Sequence, residues 1–474
     1  MVLLFIIASI IISLFIFLFR NKILTRILSA LYLILLVALS IYAYLHVNQY
    51  DSVYYKFDSL GILLSFVLCL LSISAFYHSY LYLKRHQSSE KDKAVYYATL
   101  IMFITAMISA YFAENIPLLW VSIEATSLFV TFLVFHDRTK NALEAAWKYL
   151  FVSSVGLAIA FAGILFLSII ANQNGLTSLS FDKLLLAAKH MDTLWLKISF
   201  LLIFTGFSVK ISLFPLFAVA IDAKTIAPSP VNALMSTALV NVGFVGIFRV
   251  FAILAQTAAK DWAQHILLIA GIVSIFIATI QIFRVKRLKR LYAFSSMEHM
   301  GIVALGLAAG GIGYYAAILQ LIFHALVKGG LFFQIGQIRQ HFKSLWLKDS
   351  GNYFKINPVG SLAVILGLIS ILAIPPSGLF ISEFLTFKAL FTAGQYVVVI
   401  LALILLTVII YNFVRFSFQL LYDKIPDDLV NQNIKVNPYE AISSFALFAL
   451  VIFLGFNPPV FFTDLIHQAL TVLN

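Results

Sequence analysis

The chain has 474 residues, is 62% hydrophobic and 11% charged, and has a mean hydropathy of +1.00. A water-soluble chain of this size carries about 25% charged residues, so the soluble fold classes are excluded. The single cysteine, Cys69, excludes an internal disulfide and any CxxC metal or iron–sulfur cradle. No Gly-rich dinucleotide or nucleotide-phosphate loop is present, and no redox centre, cofactor or metal is expected in this chain.

Apolar runs of about 20 residues, enough to cross roughly 30 Å of hydrocarbon, recur from end to end. The first, MVLLFIIASIIISLFIFLFR, has no basic leading segment and no small-residue cleavage site, and its first base, Arg20, follows the apolar run. It reads as a retained helix, not a signal peptide. Hydropathy and breaker residues predict an all-α polytopic membrane protein of about fourteen spans. These fall near 1–19, 24–46, 57–83, 94–112, 115–135, 145–171, 195–220, 230–256, 264–284, 290–309, 313–338, 357–392, 396–421 and 439–463.

Connections of odd rank hold 22 of the 32 Lys and Arg residues, and those of even rank hold five. By the positive-inside rule the odd connections face the cytoplasm of a prokaryotic inner membrane and both termini face outward. The net charge of +12 is thus a consequence of topology. The expected partner is the lipid bilayer, and nucleic acid is not.

The remaining five bases are Lys210, Arg249, Lys328, Lys388 and Arg415. Arg249 and Arg415 fall near span ends, where a long side chain reaches the interface. Lys210 lies inside span seven and Lys328 inside span eleven, while Glu124 and Glu383 are buried acids of spans five and twelve, with Lys388 five residues after Glu383. Each such charge costs roughly 2.5–3.5 kcal/mol at the centre of an isolated inserted helix. Such groups must pair, meet water or titrate. Gln320, His324 and Lys328 recur every four residues and so share one helix face; an amide, an imidazole and an amine in a row suit a proton relay.

Two spans are interrupted. Span seven holds Pro215 and exits at Pro228 and Pro230; span twelve holds Pro375, Pro376 and Gly378. Proline removes a backbone donor, which at membrane depth is tolerated only against protein or a hydrated cavity. Broken spans five apart, each near a buried ionisable group, suggest a transporter repeat of spans 4–8 and 9–13. The expected organisation is therefore peripheral helices in 1–93, a first repeat in 94–256, a second in 257–421, and a loop with the last helix in 422–474.

The stretch KISLFPLFAVAIDAKTIAPSPVNALMSTALVNVGFVGIFR resembles the antiporter-like proton-transporting subunits of NADH dehydrogenase, group-4 hydrogenases and multisubunit cation/proton antiporters. EAAWKYLFVSSVGLAIAFAGILFL and KRLKRLYAFSSMEHMGIVALGLAAGG are more similar to the F-type membrane subunit of hydrogenase-4. The resemblance covers roughly residues 95–420. It implies fourteen helices with two inverted five-helix repeats, and a helix-5 Glu paired with a helix-7 Lys, matched here by Glu124 and Lys210. It further implies a helix-11 His and Lys (His324, Lys328) and a helix-12 ionisable group (Glu383). Two positions depart from the family pattern. Mid-helix 8 offers Ser236 and Asn241 where some members carry Lys or His, which leaves the relay to His324, Lys328 and bound water. The usual WLPDA reads VAIDA at 219–223. The long lateral helix of the largest members is also not expected after span fourteen.

Glu298 and His299 are placed at the start of span ten as a candidate proton entry, with Gln320, Lys289 and Lys388 as further candidate relay groups. Glu144 and Lys148 read as an ordinary i,i+4 helix pair. The functional expectation is a proton-translocating subunit with no catalytic residue of its own, gated by the Glu124–Lys210 charge pair and driven by peripheral redox subunits beside other membrane subunits. The alternatives are a subunit of a cation/proton antiporter or of an inorganic-carbon uptake complex.

Overall fold

The computed structural model describes residues 1–342, 344–424 and 437–473. Among them are helices and four isolated bridges, with no strand. The helices are α1 (Val2–Phe19), α2 (Lys22–Leu45), α3 (Ser59–Arg85), α4 (Glu90–Phe112), α5 (Ile116–Val134), α6 (Lys140–Gln173), α7 (Phe181–Ala187), α8 (Thr193–Ile211), α9 (Ala218–Ile226) and α10 (Ser229–Ser236). They continue with α11 (Ala238–Ala255), α12 (Lys260–Arg284), α13 (Leu288–Ala309), α14 (Ile312–Phe342), α15 (Tyr353–Ile356), α16 (Pro358–Ile371), α17 (Gly378–Thr392), α18 (Tyr396–Tyr422), α19 (Ile442–Phe456) and α20 (Val460–Leu470).

Short polar side chains open most of the long helices. Asn21, Asp58, Ser89, Asn115, Thr139, Asp192, Asn357 and Ser377 each accept a bond from a backbone N–H of the first turn. Such caps satisfy donors that hydrocarbon would leave unpaired. Thirteen helices among the described residues are long and apolar enough to cross a membrane. They coincide in order with the expected spans except the twelfth, which is divided into α16 and α17, both shorter than a full crossing. Large apolar side chains stay exposed along α1, α2 and α18, for example Leu4, Ile34 and Ile404, as helices facing lipid require. Of the bases assigned to connections, Lys343 and Lys435 lie outside the described residues.

The interruptions sit where proline put them, with one shift. Helix α8 stops at Ile211 because Ser212 turns left-handed (φ 59°), so Pro215 lies in the gap before α9 and not inside a continuing span. In span twelve, α16 stops at Ile371, and the gap holds left-handed Ala373 with Pro375 and Pro376. Each gap contains one cis X–Pro bond, at Phe214–Pro215 and Pro375–Pro376.

The chain forms two compact units. One comprises Met1–Val231, Ala238–His265 and Val460–Asn474, the other Asn232–Thr237 and Ile266–Pro459. In the first unit, α8 packs against α6 and α11 through glycines. A Cβ on Gly206 would lie 2.4 Å from the Gly156 carbonyl, and one on Gly243 would lie 2.9 Å from the Lys210 Cβ. Close backbone approach through small residues is the usual packing device where lipid competes equally for apolar side chains. In the second unit, α14 is buried on all sides, with α13 and α17 against it.

Gly206→Ala should therefore force α6 and α8 apart. Overpacking of this kind costs about 1–3 kcal/mol, and the purified protein should melt at lower temperature in detergent. An unchanged melting temperature would show that the α6–α8 contact is not tight.

Candidate functional site: two buried polar clusters

In the first unit, α5, α6 and α8 converge on Lys210. This residue is 2% exposed, and its Nζ donates to Ser127 Oγ at 2.5 Å and to the Tyr149 hydroxyl at 3.2 Å. The amine also stands 5.2 Å from the centre of the Tyr149 ring, a favourable place for a cation. Glu124, one turn before Ser127 on α5, accepts from Ser154 Oγ at 2.8 Å through Oε1, while its Oε2 is buried with no hydrogen-bond partner. The expected acid and base thus belong to one cluster, but no ion pair joins them directly among the described residues. Each is held instead by its own hydroxyl partner.

Lys224 is one of the 22 bases that the charge bias places in the odd-rank, cytoplasmic connections. The structure places it on α9, 1% exposed, with Nζ donating to Ser212 Oγ at 2.9 Å. A second buried amine thus bonds the residue that ends the Lys210 helix. The only signal in the sequence is its position between two proline-marked gaps.

In the second unit the stripe of α14 meets α13 and α17. Gln320 Nε2 lies 3.1 Å from His299 Nδ1 and donates to Glu383 Oε1 at 3.2 Å, and the Ser382 hydroxyl donates to Gln320 Oε1. His299 Nδ1 is 3.5 Å from Glu383 and 3.6 Å from Glu298. The rings of His299 and His324 are 5.3 Å apart. Two turns beyond Gln320, Lys328 Nζ donates to the Tyr292 carbonyl at 2.5 Å and to Ser295 Oγ at 2.7 Å. Antiparallel α13 and α14 thus present matching polar steps, His299 to Gln320 and His324, then Ser295 and Tyr292 to Lys328.

Glu298 and His299 are therefore not at the start of their span. They are the eleventh and twelfth of the 22 residues of α13 and lie within this cluster. Lys289 is buried at the start of α13, roughly 13 Å along the axis from Glu298 at 1.5 Å per residue. Lys388 is exposed on α17, away from Glu383, and Arg415 is exposed on α18. Glu298, His299 and Glu383 each bring a ligand atom within 4.8 Å of one another, a donor set that also suits a cation.

A third group of charges lies at the connections of even rank in the first unit. Asp182 accepts from Lys56 and from the Tyr50 hydroxyl, and Glu114 accepts from Ser180 and from the Asp182 backbone N–H. Arg249, expected to reach for the interface, is tied instead to Asp58 Oδ2 and the Tyr111 carbonyl, both at 2.7 Å. Lys56, Asp58, Glu114, Asp182 and Arg249 line one cavity of about 260 Å³. Burial pushes the Glu114 carboxyl above the usual carboxylate range. Burial also works against the Asp182 carboxylate, but the hydrogen bonds and charge of Lys56 and the Tyr50 bond outweigh it and hold its pKa below the ordinary value.

A family described as NADH:quinone oxidoreductase/Mrp antiporter, transmembrane, matches residues 113–410. Over 330 residues, 68% of this chain and 69% of the relative, the sequence is 32% identical to the hydrogenase-4 component F homolog of Methylacidiphilum infernorum. It is 30% identical over 353 residues to hydrogenase-4 component B of Escherichia coli, of which it spans about half, 51%. Among solved structures, a chain of the membrane-bound sulfane sulfur reductase, an archaeal respiratory membrane complex, superposes with a TM-score of 0.85 at 21% identity. That superposition covers 100% of this chain and 97% of the other.

Asp182→Asn should destabilise the protein at pH 7, and the difference from the unsubstituted chain should begin to shrink as pH falls below about 4 and continue to shrink on further acidification. The folded carboxyl binds its proton less readily than the unfolded one. The stability it contributes is thus present above the unfolded value and lost as pH falls through the folded one. Melting curves of the pair across pH check this, and a difference that grows on acidification contradicts it.

Proposed function

The chain belongs to the NADH:quinone oxidoreductase/Mrp antiporter transmembrane family, and from that premise we propose that it is a proton-translocating subunit of a redox-driven membrane complex of hydrogenase-4 or NADH dehydrogenase type. The observation that carries the proposal is the second-unit cluster. Glu383, Gln320, His299, His324 and Lys328 are each no more than 8% exposed, and bonds or ring contacts link the first four. Carboxylate, imidazole and amine can each take up and release a proton, and an amide bridges them without titrating. In an apolar helix bundle such groups are costly unless they work.

The first cluster supplies the control. A nearby opposite charge holds a group in its charged form, and burial opposes that form. Glu124 and Lys210 are each bonded to hydroxyl partners, and in this reading the pair engages when Glu124 moves. Movement of Glu124 toward Lys210 retains a proton on the amine; its return to Ser154 releases it. Asn241 on α11, fully buried beside Tyr111 with neither amide atom in a well-formed hydrogen bond among the described residues, offers a place for ordered water.

Electron transfer belongs in this reading to peripheral redox partners, with other membrane subunits alongside, and the chain itself carries no cofactor. The bias of basic residues supports a prokaryotic inner membrane with both termini outside. A second reading, cation/proton exchange, gains one specific observation. Glu298 joins Glu383 and His299 as a third ligand-bearing group at depth, where sequence alone offered Glu124 and Glu383.

Two experiments test the proposal. Purification from native membrane in mild detergent, with mass spectrometry of co-migrating proteins, should find hydrogenase-like or dehydrogenase-like metal subunits; small antiporter subunits alone would favour exchange. In vesicles holding the assembled complex, Lys210→Met and Glu124→Gln should each reduce redox-driven proton uptake by about 100-fold or more, the low end of what a positioned proton-transfer group contributes. Unchanged pumping in both variants would refute the relay.

A further inference from the structure

The ends of α2, α3 and α4 that carry the basic connections enclose a feature the proton path does not use. A cavity of about 150 Å³ is lined by Lys22, Arg26, Lys84 and Lys93, with Glu90 as its one acid. Lys93 is already paired to Glu90 at 2.8 Å, whereas Lys22, Arg26 and Lys84 are exposed. Arg26 is fixed in place, its Nη2 donating to the Tyr80 hydroxyl at 3.3 Å and its guanidinium lying 5.0 Å from the ring centre.

The cavity does not end at the charges. Arg26, Tyr80 and Tyr97 also line a second, apolar cavity of about 360 Å³, whose other walls are Ser29, Ala30, Leu33 and Phe76. On α2 the residues Lys22, Arg26, Ser29 and Leu33 follow at spacings of four, three and four, which puts them on one face. That face grades from charged to polar to apolar over roughly 16 Å at 1.5 Å per residue. On α3, Lys84, Tyr80 and Phe76 repeat the gradient in the opposite chain direction, and Lys93 and Tyr97 repeat it on α4. Ser29 supplies an independent sign of a ligand. The residue is 7% exposed and borders the groove, and its buried hydroxyl has no hydrogen-bond partner among the described residues.

We propose that this groove is a binding site for an anionic phospholipid, with the phosphate among Lys22, Arg26 and Lys84, the glycerol region at the Ser29 hydroxyl, and one acyl chain along Leu33 and Phe76. Three bases at the mouth that are not paired to Glu90 select a net negative headgroup over a zwitterionic one by direct attraction. The apolar groove separates a lipid from a free phosphate, which has no use for it. The site is distinct from both proton-transfer clusters, so it stands or falls apart from the proposed function.

Native mass spectrometry of the delipidated full-length protein, titrated with phosphatidylglycerol or phosphatidylethanolamine of matched chains, tests it. Phosphatidylglycerol should bind on the order of tenfold more tightly. Lys22→Gln with Arg26→Gln should remove that preference, and Ala30→Trp, which fills the groove, should abolish retention while leaving the bases in place. These positions are exposed, so the variants should keep their melting temperature. Excess inorganic phosphate should not displace the lipid, and the intact native complex should retain about one anionic lipid here.

Equal binding of the two lipids, or an unchanged double variant, would overturn the proposal. Displacement by phosphate with no effect of Ala30→Trp would reduce the site to a free-anion site and also overturn it. Absence of the lipid from the intact complex would do the same, and would assign the groove to a neighbouring subunit.

Discussion

An ionisable side chain inside a hydrocarbon-spanning helix has to be met by another polar group, and this requirement organises the whole molecule. Lys210 is met by a serine and a tyrosine, Lys328 by a carbonyl and a serine, Glu383 by an amide and an imidazole. Most of these partners are neutral. A set of tight ion pairs would hold each charge fixed, as in a static structural bundle. Hydroxyls, amides and carbonyls can accommodate either protonation state, which suits groups that must change charge.

Placing such partners requires helices that approach closely and helices that stop midway. Glycines on α6, α8 and α11 bring the backbones around Lys210 near enough for its amine to reach α5 and α6. In the gaps after Ile211 and Ile371 nearby serines meet part of the interrupted backbone: Ser208 Oγ accepts from the Leu216 N–H, and Ser377 Oγ donates to the Ser370 carbonyl. Lys210 lies one residue before the first gap ends its helix, and Glu383 lies in the second turn of the helix that resumes after the other. In both units the irregular backbone and the buried charge occur together, and the apolar exterior of α1, α2 and α18 is left to lipid.

Much of this was legible in the sequence because it depends on local pattern. Runs of apolar residues gave the spans, prolines gave the two interruptions, and the i,i+4 repetition gave the stripe of Gln320, His324 and Lys328 on α14. What escaped the sequence depends on tertiary partners or on helix phase. Glu298 follows closely on a basic run and so reads as the start of its span, yet the helix takes in the end of that run from Leu288 and holds Glu298 at mid-length. Lys224 looked like a loop cation because α9 is too short to show a helical period. Arg249 is held by Asp58, 191 positions away in the chain, and no spacing rule reaches that far. Lys388 was grouped with Glu383 on depth alone, although five residues turn the helix to a face about 140° away.

That last contrast gives the most direct test, because two charges on one helix differ in the feature at issue. In vesicles containing the assembled complex, redox-driven proton uptake should be lost with Glu383→Gln, which sits in the cluster, and kept with Lys388→Met, which faces outward. Subunit content and electron transfer by an uncoupled assay should stay intact in both. If Glu383→Gln pumps normally, or if Lys388→Met fails as badly, proton movement does not run through the buried cluster described here.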